Sequence, residues 1–253
     1  MPSPSRGRHR IDKTLFLAGA TGAIGSRLVP LLIAEKWRVV GTTRSAEKAA
    51  RLRECGVEPV VVVDVFDAAA LIDAVAATKP DIVVHQLTDL PPGLDPARMV
   101  EATARNARIR DEGTRNLVEA AVRAGVQHFI AQSVAFAYAE GPTPHTEEDA
   151  LAIDAEGRAG ISARGVASLE TQVLSEPFVG AVLRYGRLYG PGTGFETPAG
   201  PAPLYVDAAA NAALLALSHG AHGIYNFAED DGAVSSEKAK RELNWSADWR
   251  RAP

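Results

Sequence analysis

A single cysteine, Cys55, in 253 residues excludes an intramolecular disulfide. No apolar run approaches the ~20 residues that a membrane-spanning helix needs. Basic residues are not in excess: 27 against 31 acidic ones leave a net charge of −4. That balance lacks the clustered basic face of a nucleic-acid binder. Arg6, Arg8, His9 and Arg10 stand among Pro, Ser and Gly, so residues 1–12 are expected to be a disordered basic tail. The charged start has no apolar segment behind it, and a reduced, cytoplasmic setting is expected. The six histidines are scattered. His219 and His222 are close but have no third ligand nearby, so no metal site is expected. There is no Gly-x-Ser-x-Gly elbow. Two further gaps bear on chemistry: no lysine lies between Lys79 and Lys238, and no tyrosine between Tyr138 and Tyr185.

The chain does hold a regular alternation. Short apolar runs at 14–17, 38–42, 60–63, 81–85, 128–132 and 179–183 read as strands. Helical stretches at 24–35, 46–53, 68–77, 97–124 and 166–174 separate them. The strands are continuously apolar, as parallel strands buried on both faces are. Alternation of this kind implies right-handed crossovers and an α/β, doubly wound parallel sheet. Residues 186–203 contain five glycines and four prolines, which predicts a loop or lid. A helix at 207–218, a short strand at 224–227 and a helix at 236–243 close the chain. The expected organisation is a Rossmann-type dinucleotide-binding domain over 13–183. A small substrate-binding lobe over 184–253 is interleaved with it.

The strongest local signal is Gly19-Ala-Thr-Gly22-Ala-Ile-Gly25, between a strand and a helix. Gly19 permits a tight turn, Gly22 removes the Cβ that would block a pyrophosphate, and Gly25 lets helix and strand pack closely. Thr21, Ala23 and Ile24 then place the N–H groups of the helix start toward the phosphates. The end of the second strand selects the cofactor. An acidic residue there would bind the ribose of NAD, but the chain has Thr42-Thr43-Arg44-Ser45. Arg44 with Thr43 suits a 2′-phosphate, which favours NADP(H) over NAD(H); the alternative is a solvated loop arginine. Asp64, followed by Val65, is placed either to accept from an adenine amino group or to cap the next helix.

These residues resemble the short-chain dehydrogenase/reductase superfamily, in its extended epimerase/dehydratase branch. Asp64-Val-Phe-Asp67 is similar to that branch's adenine-site segment. Asp81-Ile-Val-Val-His85 looks like its fourth strand, with Gln86, Leu87 and Thr88 where two alanines usually lie beneath the cofactor. Gly113-Thr-Arg-Asn-Leu117 resembles its Gly-Thr-x-Asn-Leu helix, and Arg184-Tyr-Gly-Arg-Leu-Tyr-Gly-Pro191 its Arg…Tyr-Gly-Pro turn. The resemblance implies a homodimer through the helices after strands four and five, and a small-molecule substrate touched by Arg184, Tyr185 and Tyr189.

Hydride transfer in this superfamily uses a Tyr-x-x-x-Lys pair. The lysine lowers the phenol's pKa, without which a tyrosine near ~10 is a poor acid-base group at neutral pH. Anchored on Glu170, the pair falls on Ser162 and Val166, so it is absent. The helix position that usually bears an asparagine is Arg110, with Asn106 one turn earlier as a cofactor-site substitute. Candidate replacements for the missing acid are Ser133, also expected beside the cofactor, Tyr138 and Ser162. Each has a plainer reading: a strand-end serine, a packing tyrosine and a helix N-cap. The expected activity is that of an NADP(H)-dependent oxidoreductase or epimerase-like enzyme on a small carbonyl, hydroxyl or sugar-type substrate. The alternative is a dinucleotide-loaded sensor without turnover.

Overall fold

The computed structural model describes residues 13–61 and 64–251. The tail expected at 1–12 and the second half of the strand expected at 60–63 lie outside the described residues. Seven parallel strands form one sheet: β1 (Thr14–Ala18), β2 (Arg38–Thr43), β3 (Glu58–Val61), β4 (Ile82–His85), β5 (His128–Val134), β6 (Val179–Tyr185) and β9 (Gly223–Phe227). Their spatial order is β3-β2-β1-β4-β5-β6-β9. The chain runs outward from β1 to β3, then returns to β4 on the other side of β1. That reversal opens a crevice beyond the C-terminal ends of β1 and β4, where ligands of such sheets bind.

Strand side chains alternate between two apolar layers, as a period of two requires. Leu15 and Leu17 join a core with α1 (Ala23–Ala34), α7 (Val206–His219) and α8 (Glu237–Leu243). Phe16 and Ala18 join the opposite core with α3 (Ala68–Thr78), α5 (Thr114–Arg123) and α6 (Gly157–Leu174). Full burial of Leu15, Phe16 and Leu17 contributes on the order of 1.5–3 kcal/mol each. α2 (Ala46–Glu54) covers the β2–β3 edge, with its N-terminus capped by Ser45.

Three expectations require correction. The helix expected at 97–124 is α4 (Met99–Arg108) and α5 joined by a π-helical turn, Ile109–Gly113. α6 starts at Gly157, well before the expected 166. The glycines at 157, 160 and 165, with small residues between them, hide its helical pattern. Two of those glycines are required for packing. A Cβ on Gly160 would lie 1.7 Å from Ala155 O, and one on Gly165 2.9 Å from Ala107 Cα. Third, the stretch 186–203 is not all loop. β7 (Arg187–Tyr189) and β8 (Pro203–Tyr205) pair in parallel as a two-stranded sheet over the C-terminal edge of the main one.

Candidate dinucleotide groove and substrate chamber

A groove of about 1030 Å³ runs along the C-terminal ends of β1, β2, β4 and β5. Its first end is the glycine turn. Gly22 has φ −75°, and a Cβ added there would meet only Gly19 O, at 3.4 Å, so its bare face is open. α1 has neither a side-chain cap nor an acidic residue in its first turn, which leaves N–H groups free for an anion. Gly19 and Gly25 act differently. Gly19 sits at φ +92° with its amide donating to Thr42 Oγ1 at 3.1 Å, and a Cβ on Gly25 would lie 2.2 Å from Gly19 O. Gly19, Thr21, Gly22, Ala23 and Ile24 line the groove, whereas Gly25 lies behind it as packing. The residues therefore fit a dinucleotide pyrophosphate.

The second end collects cations. Thr43, Arg44 and Lys48 line it together with Asp64 and Val65. Arg44 is 72% exposed, and its one ion pair among the described residues is a 3.6 Å approach to Asp89. Arg108 stacks 3.8 Å over the Phe66 ring. Asn116, in α5, donates to Val65 O at 3.1 Å and so fixes the loop after β3. Asp64 accepts from Phe66 N at 2.9 Å, and the cap of α3 is Asp67.

The centre is formed by Gln86, Leu87, Thr88 and Asn106. Asn106 is committed: it donates to Ala102 O at 2.9 Å and accepts from Asp89 N at 3.0 Å. Gln86 is not committed. It is 4% exposed, and neither its Nε2 nor its Oε1 has a partner at hydrogen-bonding geometry among the described residues.

Beneath Gln86, His85 is buried and neutral. Leu87 N–H donates to its Nδ1, so its proton sits on Nε2 and points at Thr114 Oγ1, 3.1 Å away. Burial first, and the nearby Arg110 charge second, pull its pKa down to about 4. The folded state thus refuses a proton that the unfolded chain accepts below about 6.5. Stability from this residue is full above that value and falls as the pH drops toward 4. Urea unfolding at pH 7 and pH 5 is expected to differ by about 2 kcal/mol more in the parent than in His85→Gln.

Beyond the centre lies a chamber lined by Phe136, Phe195 and Leu90, all partly exposed to it, with Arg187 stacked 4.5 Å over Phe136. Arg187 Nε and the Tyr185 hydroxyl have no partner at hydrogen-bonding geometry among the described residues, and burial pushes the Tyr185 phenol up. Ser162 also lines the chamber and accepts from Arg110 Nη1 at 3.1 Å.

Several candidates belong elsewhere. Ser133 is 0% exposed and donates to Glu170 at 3.0 Å; along β5 it is Gln132 and Val134 that face the groove. Its hydroxyl is thus turned away from the groove toward Glu170. Arg184 is 3% exposed and paired with Glu170 at 2.7 Å, outside the lining of the groove. Tyr189 donates instead to Glu229 at 2.6 Å. Tyr138 reaches the groove with its ring, but its hydroxyl donates to Asn226 at 2.6 Å and accepts from Arg184 at 2.9 Å. Ser162 is not an N-cap but stands one turn and more inside α6. Arg110, read from sequence only as a departure from pattern, lines the chamber. Among the described residues no cluster of three or more metal-ligating side chains occurs, and no helix is long and apolar enough to cross a membrane.

A glycine turn at the switch point of a doubly wound sheet, opening on a long groove, defines a dinucleotide-binding protein of the Rossmann class. Comparison with known proteins makes this specific. The profile of the NAD(P)H-binding family matches residues 19–163. A 3-diazoavenalumate denitrifying reductase from Streptomyces sp. is 42% identical over 236 residues, covering 90% of this chain and 72% of that one. The chain belongs to this NAD(P)H-binding family. Solved structures share the fold at low identity. Yeast methylglyoxal/isovaleraldehyde reductase with NADPH superposes with a TM-score of 0.73 at 18% identity, covering 92% of this chain and 93% of that one. UDP-glucose 4-epimerase from Bifidobacterium longum with NAD+ and UDP gives 0.72 at 17%, covering 94% of each.

Proposed function

We propose that this protein is an NADP(H)-dependent reductase of a small aromatic electrophile that needs no proton from a protein tyrosine. The observation that carries the reading is the chamber wall. Val134 and Ser162 line the groove and Val166 is fully buried; the resemblance puts the usual acid at Ser162 and the usual lysine at Val166. Ser162 is an unactivated alcohol, and the Tyr138 hydroxyl is tied into the Arg184 and Asn226 contacts. Arg44, Lys48 and Thr43 favour the 2′-phosphate of NADP(H) by charge and donor count.

The dinucleotide, when bound, supplies a hydride; on an arenediazonium, hydride gained and dinitrogen lost balance without any proton. The likeness to a reductase of a diazo compound agrees with that economy of groups. The chain's own contribution is orientation and exclusion of water. Phe136, Phe195 and Leu90 offer apolar walls to a ring, and Gln86 offers a buried amide beside the Tyr185 hydroxyl.

The test is a turnover assay with NADPH, comparing aromatic diazonium salts with aromatic aldehydes and sugar nucleotides. NADPH consumption matched one-to-one by dinitrogen release, above the uncatalysed rate, is expected with the diazonium alone. Arg44→Ala is expected to raise KM for NADPH about tenfold and to leave NADH nearly unchanged, because a phosphate fork contributes about 1.5–3 kcal/mol or somewhat less when exposed. Tight NADPH binding without consumption on any of these substrates would favour a sensor instead.

A further inference from the structure

We propose that Arg110 is an anion-holding residue of the chamber, and that the substrate enters with an oxyanion, a carboxylate or phenolate, against it. The inference rests on the reductase reading for its substrate but not for its binding test. Arg110 is the second residue of the π turn between α4 and α5. Such turns add a residue to a helix and recur where a side chain must be re-aimed for function. Here the turn is held in place from the sheet: His85 Nε2 faces Thr114 Oγ1, which donates to Ile109 O at 3.4 Å. Arg110 thereby points into the chamber, where it makes one hydrogen bond, to Ser162.

Among the described residues no carboxylate lies within ion-pairing distance of this guanidinium. Arg184 takes both oxygens of Glu170, the nearest acidic influence on Arg110. Among the other cations of the groove, Arg105 and Arg44 have Asp89 and Arg108 has Glu112, whereas Lys48, Arg158 and Arg187 share with Arg110 the lack of an acidic partner among the described residues. Burial pulls Arg110 down to about 10, which still leaves it charged at neutral pH. A half-buried charge without a counter-ion is costly in the free protein, and its unused N–H groups form a planar fork suited to two oxygens. The flat walls of Phe136 and Phe195 add the ring that bears them. Arg110 then holds the substrate's negative oxygen and orients the ring, acting by charge alone and moving no proton.

The test uses protein loaded with NADPH and titrated calorimetrically with benzoate and 4-nitrophenolate, each against its neutral counterpart, benzamide or 4-nitroanisole. At least one anion is expected to bind about tenfold or more tightly than its neutral partner; which one separates carboxylate from phenolate. Arg110→Met is expected to abolish that preference and Arg110→Lys to keep part of it; Arg158→Gln, which removes an exposed arginine of the same groove's lining, is expected to leave it in place. Because Arg110→Met removes an uncompensated charge, its melting temperature without ligand is expected to equal or exceed the parent's, so a folding failure would itself count against the proposal. Equal binding of anions and neutral partners would overturn it. So would a preference that survives Arg110→Met, or a loss of NADPH affinity in that variant as large as the loss of anion. Anion preference at Arg110 without turnover would uphold this inference while removing the reductase reading.

Discussion

Gly22→Val is expected to fold as the parent does and to bind NADPH at least about 100-fold more weakly, a loss of roughly 2.7 kcal/mol. The two halves of that expectation have separate grounds. Gly22 has an ordinary φ of −75°, and the nearest atom to an added Cβ is Gly19 O at 3.4 Å. A side chain there strains nothing in the free protein. It projects instead into the groove at the uncapped start of α1, where a pyrophosphate would approach the N–H groups. Gly25→Ala should do the reverse. Its Cβ would lie 2.2 Å from Gly19 O and 2.9 Å from Ala20 C and Cα, all backbone, so the turn must move. A loss of several kcal/mol is expected, in the range of severe overpacking, before any ligand is added. Thermal unfolding and calorimetric titration of the two variants separate the effects. If Gly22→Val bound NADPH within about threefold of the parent, less than about 1 kcal/mol, the groove would not be the dinucleotide's.

Why these glycines are legible in the sequence, and other site residues are not, follows from the physics of each signal. The motif is local: three glycines spaced by three at a strand-to-helix junction have few other uses. The strands are equally plain, since burial on both faces leaves them apolar throughout. The same property hides which face a given residue takes. In Phe129–Val134 nothing in the sequence says whether Ser133 or Val134 faces the groove, and a shift of one residue exchanges them. The structure puts Val134 there and gives Ser133 to Glu170. Arg110 is hidden for another reason. A π turn carries no residue signature in a helical stretch, so 97–124 reads as uniform helix, and Arg110 reads only as a departure from the usual asparagine. The early turns of α6 escape notice because Gly160 and Gly165, poor helix formers, are kept for contacts with Ala155 and Ala107 that only tertiary structure reveals. Resemblance to a turn puts Arg184 and Tyr189 at the substrate, although their partners, Glu170 and Glu229, lie in distant segments.

Arg184 yields the second large effect. Glu170→Leu is expected to cost about 3–5 kcal/mol, because it strands a buried guanidinium. The carboxylate now accepts from Arg184 Nε at 2.8 Å, from its Nη2 at 2.7 Å and from Ser133 Oγ at 3.0 Å. Both partners are nearly sealed from solvent, at 5% and 3% exposure. For a chain of this size the loss corresponds to a melting temperature lower by roughly 6–20 °C. Arg184→Met should be destabilising on its own as well, since it leaves the carboxylate with Ser133 and also removes donors from the Tyr138 hydroxyl and Glu147 O. The double variant Glu170→Leu/Arg184→Met is expected to recover much of the loss, because no unpaired charge remains and the replacements are apolar and of comparable size. Tyr138 keeps Asn226 in that background. Urea unfolding of the four proteins measures the coupling. Since neither side chain lines the groove, the folded double variant should bind NADPH as the parent does and reduce the same substrate with little change in KM. A double variant as unstable as Glu170→Leu alone would show that the pair does not act by mutual neutralisation. A large rise in substrate KM, at a temperature where the double variant is fully folded, would return Arg184 to the substrate contacts from which its burial removes it.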